Sequence, residues 1–241
     1  MMVKFTSEEA GMTTHAVRLA AVGALAQAVA ACSDPKVANK SNFARAVAEA
    51  IATRPPCIDI PKGDGADPFP FGASARPPFP RYVRLDERAT KGEANRQLDA
   101  LVHAGLLRRE RTQVHETTGF AGETRSVPTL AYTLSDTGRV AVAQADTVRR
   151  ATSSRGESLC LGRAIVDEVT NFTEPGDAFG QKMSEVHYRF HVADRPAWVG
   201  DPAVTAAFPE IARQLADDQK GRTVLVLTNE GWKDQQLVAG S

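Results

Sequence analysis

The chain has 241 residues, 42% hydrophobic and 24% charged, an ordinary globular composition with room for one large core or two small ones. Its 29 basic and 29 acidic residues cancel to a formal net charge of zero, which argues against a protein that holds nucleic acid by neutralising phosphates. No polybasic or acidic block breaks this balance, so charge patterning selects no partner.

From Leu19 to Ala31 the side chains are apolar or small, Gln27 apart, with Arg18 and His15 ahead of them. Such a run rises roughly 20 Å as a helix, short of a ~30 Å hydrocarbon core, which suits a secretion leader better than a permanent span. Val29-Ala30-Ala31-Cys32 resembles the lipobox of bacterial lipoproteins. That resemblance implies a signal peptide over 1–31, lipidation of Cys32, and a membrane partner reached through the lipid. Ser33, where an Asp would retain such a protein, resembles the outer-membrane sorting pattern, facing the periplasm. Glu8 and Glu9 do not suit a leader, and a start at Met12 removes both. The competing reading is a buried Ala-rich helix in which Cys32 packs as a small hydrophobe.

Residues 32–40 read as a lipidated polar tether. Ser41-Asn42 then offers caps for a helix with Phe43, Val47 and Ile51 on one face, stopped by Pro55-Pro56. Residues 61–80, rich in Gly and Pro with little periodicity, read as a long loop. Lys91 to His103 predicts a helix with Ala94, Leu98, Leu101 and Val102 inward and Gly105 at its C-terminal cap. A hairpin follows: Leu106 to Val114, a polar tip at 117–124, and a return carrying Leu130, Tyr132 and Leu134. Asp136-Thr137-Gly138 opens a further helix bearing Val140 and Val142. Together these elements resemble a winged-helix module spanning 41–150. Beyond the linker-like 151–156, residues 157–241 read as a small antiparallel lobe, with strands at 159–161, 164–172 and 223–227 and a capped helix start at Asp201-Pro202. The fold class expected is therefore α+β, a winged-helix-like N-terminal half joined to an antiparallel-sheet lobe.

Several short motifs carry a wider likeness. Asn39-Lys40-Ser41-Asn42-Phe43, Pro56-Cys57, Leu101 to Leu106, Cys160-Leu161-Gly162, Ala197-Trp198, Ala207-Phe208-Pro209 and Leu227 to Trp232 are similar, taken together, to a group of uncharacterised bacterial lipoproteins. The resemblance implies a location in the envelope and a similar architecture, and carries no activity. The Gly/Pro loop at 61–80 is longer than the pattern calls for.

With Cys32 consumed by lipid, two of the three cysteines remain in an oxidising compartment, and a Cys57–Cys160 disulfide is the natural expectation. Two buried free thiols, or a reactive cysteine, are the alternatives. The strand 185–192 alternates Val186, Tyr188, Phe190 and Val192 against Glu185, His187, Arg189 and His191, so the polar set is a solvated face or the wall of a binding cleft. His187 and His191, four residues apart on a strand, are about 13 Å apart and cannot share one metal; no metal or cofactor is expected. Asp136-Thr137-Gly138 spells an aspartic-protease triplet in the wrong context, a capping Asp at a helix start. Gly63-Asp64-Gly65 and Gly72 lie outside the strand–helix setting that phosphate cradles need. No motif makes a positive case for an enzyme.

The expectation is a lipid-anchored periplasmic protein that binds an unknown protein or small molecule without catalysis. The alternative is a cytosolic winged-helix regulator touching DNA through Arg108, Arg109, Arg111 and Arg125.

Overall fold

In a computed structural model of the chain, the residues described are 34–63, 77–118, 123–148 and 157–239. The expected leader with Cys32, most of the 61–80 loop with Asp64, Gly65 and Gly72, the hairpin tip and the 151–156 linker lie outside them.

The order of elements is α1 (Lys40–Ala52), β1 (Cys57–Asp59), β2 (Arg81–Arg84), α2 (Glu87–Thr90), α3 (Glu93–His103), β3 (Leu107–Thr118), β4 (Glu123–Leu134) and α4 (Asp136–Val148). There follow β5 (Ser158–Cys160), β6 (Arg163–Phe172), β7 (Gly176–Ala178), β8 (Gln181–Ala193), a 3-10 turn (Ala197–Gly200), α5 (Pro202–Ala207), α6 (Glu210–Gln214), β9 (Gln219–Thr228), β10 (Gly231–Asp234) and α7 (Gln235–Ala239). Three antiparallel sheets result: β2-β4-β3, the pair β1-β5, and β10-β9-β8-β6 with β7 added to β8. The fold is α+β. No helix among the described residues is long and apolar enough to cross a membrane.

The apolar side chains gather into two cores that do not follow chain order. α1 buries Phe43, Ala46, Val47, Ala50 and Ile51, the i, i+3, i+4, i+7, i+8 spacing of one helix face. That face lies against the C-terminal sheet, on Ala164, Val169, Val186, Tyr188, Leu225 and Trp232. Phe43 meets Phe172 and Trp232 edge-on, with ring centroids 4.9 and 5.0 Å away, the geometry that aromatic quadrupoles favour. The other core joins Leu98, Leu101, Leu106, Leu130 and Tyr132 to Leu159, Leu161, Val204, Phe208 and Ile211 from the far end of the chain. Each core thus draws on both halves of the sequence.

The chain crosses between cores at β1 and β5, where Cys57 and Cys160 stand opposite one another and are joined by a disulfide. Ile58, Leu159 and Leu161 from this crossing sink into the core built around Leu98, Leu101 and Tyr132.

Caps differ in detail from the sequence reading. Asn39, not Ser41 or Asn42, caps α1 by accepting from the Asn42 N–H at 2.8 Å. Asn42 is buried instead, and its amide donates to the carbonyls of Asp34 and Val37, both at 2.8 Å. With Trp232 donating to the Lys36 carbonyl at 3.0 Å, these bonds hold residues 34–37, read as tether, on the folded body. α3 begins at Glu93, after the separate short α2. Its Leu98 and Leu101 are buried as expected, joined by Asn95 and Ala100, while Ala94 and Val102 are half-buried. Gly105 has φ +74°, a left-handed position just past the helix. At α4 the cap is Ser135, whose hydroxyl accepts from the Gly138 N–H at 2.9 Å, while Asp136 points out and pairs with Arg108 and Arg139. Gly138 lies so close to the Leu106 carbonyl that a Cβ would meet it at 2.0 Å, so this glycine is what lets α4 start against the strand. Asp201 caps α5, with Pro202 at its first position.

Phe43→Ala removes the ring that welds α1 to the C-terminal sheet. A loss of about 3–5 kcal/mol is expected, read in urea as a lower midpoint with an unchanged slope.

Candidate functional site

The polar residues of the strand at 185–192 share one side of it, and their charges are engaged. On β8, Glu185, His187, Arg189 and His191 point away from α1, and each has a partner. His187 Nε2 is 2.9 Å from Glu185 Oε1, and Arg222 approaches the same carboxylate at 3.8 Å. His191 Nδ1 is 2.7 Å from Asp167 on β6. Arg189 lies 2.7 Å from Glu168; its Nε is 3.3 Å from Asp218, near enough for attraction but not aligned as a hydrogen bond. The two histidines serve different carboxylates on different strands. Among the described residues no three His, Cys, Asp or Glu converge to hold a metal. A shallow hollow of about 370 Å³ lies among Glu168, His187, Arg189 and Lys220; on the α1 side of the same strands the Tyr188 ring packs on Gly221 so closely that a Cβ there would meet it at 2.2 Å.

The four arginines of the β3–β4 hairpin do not form one patch. Side chains alternate across a strand. Arg109 and Arg111, opposite Tyr132 and Leu130, therefore share the α3 side, while Arg108, opposite Thr133, is on the reverse with Arg125. Arg108 and Arg125 sit at opposite ends of the ladder, Arg125 opposite Glu116. Arg108 pairs with Asp136 at 3.1 Å and Arg109 with Asp99 at 2.7 Å. Nor is α3 open to a groove of nucleic acid, because α5 packs along it. Gln97 donates to the Ala207 carbonyl at 3.3 Å, and His103 meets Asp201 at 3.0 Å. Asp201 is held below the ordinary carboxylate range: desolvation, the largest single influence, pushes upward, but the His103 contact and the N–H groups of Ala203 and Val204 together outweigh it.

A cleft of about 510 Å³ opens between α3 and the hairpin, lined by Leu85, Thr90, Asn95, Asp99, Arg109, Glu110, Arg111 and Leu130. Its floor is a polar network that pattern reading did not find. Tyr132 is fully buried, with its hydroxyl 2.7 Å from Asn95 Oδ1 and 2.8 Å from Asp99 Oδ1. Having one proton to give, the phenol donates preferentially to the charged acceptor. Asn95 in turn donates to the Thr90 carbonyl at 2.9 Å and reaches Asp99 Oδ2 at 3.3 Å. Asn95 and Asp99 stand one helical turn apart, which aims both at the same phenol. The sequence signal available was Tyr132 itself: an inward-facing tyrosine needs a partner for its hydroxyl. Arg111 is exposed at the cleft, and among the described residues no ion pair involves it. The hydroxyls at hand are the buried Tyr132 and Thr90, and Asp99 is engaged by Arg109, Asn95 and Tyr132, so the cleft offers charge and hydrogen bonds for holding a ligand.

Burial, then the Asp99 carboxylate, keep the Tyr132 phenol protonated well above its ordinary range; burial also raises the Tyr188 phenol. No protein-family model, curated protein or solved structure matches this chain.

A phenol whose pKa is raised by folding contributes stability that is complete below the unfolded value of about 10 and is lost as pH rises beyond it. Tyr132→Phe, which strips the bond to a carboxylate, is expected to cost about 1.5–3 kcal/mol at pH 7. It should also flatten part of the fall in stability above about pH 10. Urea unfolding of both proteins across that range measures this; an equally steep fall in the variant would clear Tyr132 of the role.

Proposed function

We propose that the chain is a lipid-anchored protein of the bacterial envelope, held on the outer membrane through Cys32 and facing the periplasm, and that its folded body binds a small molecule or protein without catalysis. The observation that carries this reading is the Cys57–Cys160 disulfide. It accounts for two of the three cysteines, leaving Cys32 alone at the end of the apolar run. Structural disulfides belong to oxidising compartments. The binding role rests on the cleft beside α3, where Arg111 stands ready for an anionic or zwitterionic group and Leu85 and Leu130 add an apolar wall.

The finer fold is proposed as winged-helix-like. The succession β2, α2, α3, β3, β4, with β2 added to the hairpin beside β4, supports it. α1 takes no part in that unit, since its apolar face covers the C-terminal sheet.

Membrane fractionation of the native chain followed by intact-mass measurement tests the proposal. The expected result is an outer-membrane protein cut before Cys32, carrying acyl chains there, with Cys57 and Cys160 linked. A soluble chain with three free thiols would sink it.

The second reading, a cytosolic DNA-binding regulator, draws on the same winged-helix-like topology and on the exposed Arg111 and Arg125. Against it stand the divided arginines and α5 lying along α3. A mobility assay with random duplex DNA at low salt is expected to show no shift at about 10 µM protein, a concentration at which non-specific binders respond. A shift that weakens steeply with added salt would favour the regulator.

A further inference from the structure

We infer that one end of the C-terminal sheet is the membrane-facing end of the protein, and that Phe179 enters the bilayer interface there. The inference rests on the proposed lipidation of Cys32.

Covalent geometry supplies the first half. Asp34 is fixed to the body through Asn42, Pro35 packs on Gly231, and Lys36 is bonded to Trp232. Gly231 needs its φ of +119° and its missing Cβ for this, since a Cβ would lie 2.9 Å from the Pro35 carbonyl oxygen. A lipid on Cys32 is then only two residues from a fixed point, a reach of about 7 Å. A tether that short cannot let the body swing freely; whatever surrounds Asp34 and Gly231 is held at the lipid surface.

Strand register supplies the second half. Gly231 stands opposite Thr228 at the end of β9. β8 pairs with β9 through Met183↔Val226, so two more steps bring Gln181 level with Thr228. The β7–β8 turn therefore projects from the same end of the sheet as the docked segment. That turn is Ala178-Phe179-Gly180-Gln181, with Ala178 opposite Gln181 and φ of +52° at Phe179 and +76° at Gly180. Two left-handed residues make it the two-residue hairpin turn whose first position suits Asn, Asp or Gly. Here it carries a phenylalanine that is 100% exposed, the most exposed large apolar side chain among the described residues. Neither the backbone conformation nor any packing inside the body calls for that ring. A bilayer interface does, because it removes the ring from water. Val37, 50% exposed, and the exposed Pro35 add apolar surface beside it.

Charge around this end is mixed: Lys36, Lys40 and Lys182 against Asp34, Asp177 and Glu230, all exposed. The contact is therefore apolar in origin and should depend little on anionic lipid or salt.

Asp217 marks the opposite end. Gln219 pairs with Phe190, and the nine steps of β9 from Gln219 to Thr228 span roughly 30 Å. The full, acylated chain is reconstituted into phosphatidylethanolamine–phosphatidylglycerol vesicles containing brominated phosphatidylcholine, as Phe179→Trp and separately as Asp217→Trp. Emission from Trp198 and Trp232 is subtracted using the unsubstituted chain. Both sites are exposed, so neither substitution should disturb folding. The added emission should be quenched by more than half at 179 and unchanged at 217, equally at low and high salt. Equal quenching at both positions, or none at 179, overturns the orientation while the acylation stands. An unacylated Cys32 in the mass spectrum of the same sample overturns the orientation together with the proposed anchor.

Discussion

Phe43 between Phe172 and Trp232 is the contact on which the rest of the arrangement turns. It binds the first helix to the last sheet, and so obliges the chain to leave one core, build the other, and return. Because α1 is spent on the C-terminal sheet, β6, β8 and β9 gain an apolar cover for one face while their opposite face stays polar and laced with ion pairs. The elements that follow β8 travel the other way. The 3-10 turn, α5 and α6 bring Val199, Val204, Phe208 and Ile211 to the core under the β2-β4-β3 sheet. Neither half of the sequence owns a complete core, which makes cooperative unfolding of the body the natural consequence.

What the sequence made legible were the faces of elements. The i, i+4, i+8 spacing of Phe43, Val47 and Ile51, the alternation from Val186 to Val192, the left-handed glycine after α3 and the Asp201-Pro202 start all report local periodicities or backbone needs, and these survive in the fold. What covers each face is a long-range matter that periodicity does not encode. The winged-helix-like reading naturally assigned α1 to its nearest neighbours in the chain; the burial of its face on β6 and β10 could not be read from spacing. Polar residues misled in a related way. Asn42 looks like a cap because Asn usually is one, yet it is buried to hold the carbonyls of Asp34 and Val37, a use set by where those residues fold back.

The site was legible in part for the same reason. Alternation correctly separated Glu185, His187, Arg189 and His191 from the buried side of β8, but whether such a row is free or already paired depends on Asp167, Glu168 and Asp218, which arrive from other elements. The hairpin arginines looked like a cluster because they are close in sequence. The pleat divides them between two faces, and Asp99 and Asp136 then neutralise one on each. The cleft by α3 was missed because its members, Asn95, Asp99 and Tyr132, come from a helix and a strand more than thirty residues apart, each unremarkable alone.

The disulfide acts where this interleaved fold has least else to hold it. β1 and β5 are three residues each, and so short a strand pair is not stable by itself in water. Around the covalent link stand the Ser158–Asp59 hydrogen bond at 2.8 Å and the backbone bonds from Ile60 to Glu157 and from Leu161 to Pro56. Arg81 reaches the same crossing through Glu157 at 2.7 Å. These polar contacts fix register, while Ile58, Leu159 and Leu161 give the pair its purchase on the core around Leu98, Leu101 and Tyr132. Breaking the sulfur bridge would free the covalent pin at the β1–β5 crossing, restoring to the unfolded chain the freedom of a loop with a sequence separation of 103. The residues most sensitive to redox environment are thus also those on which the two-core topology closes, and an oxidising compartment is the setting in which this connectivity is most stable.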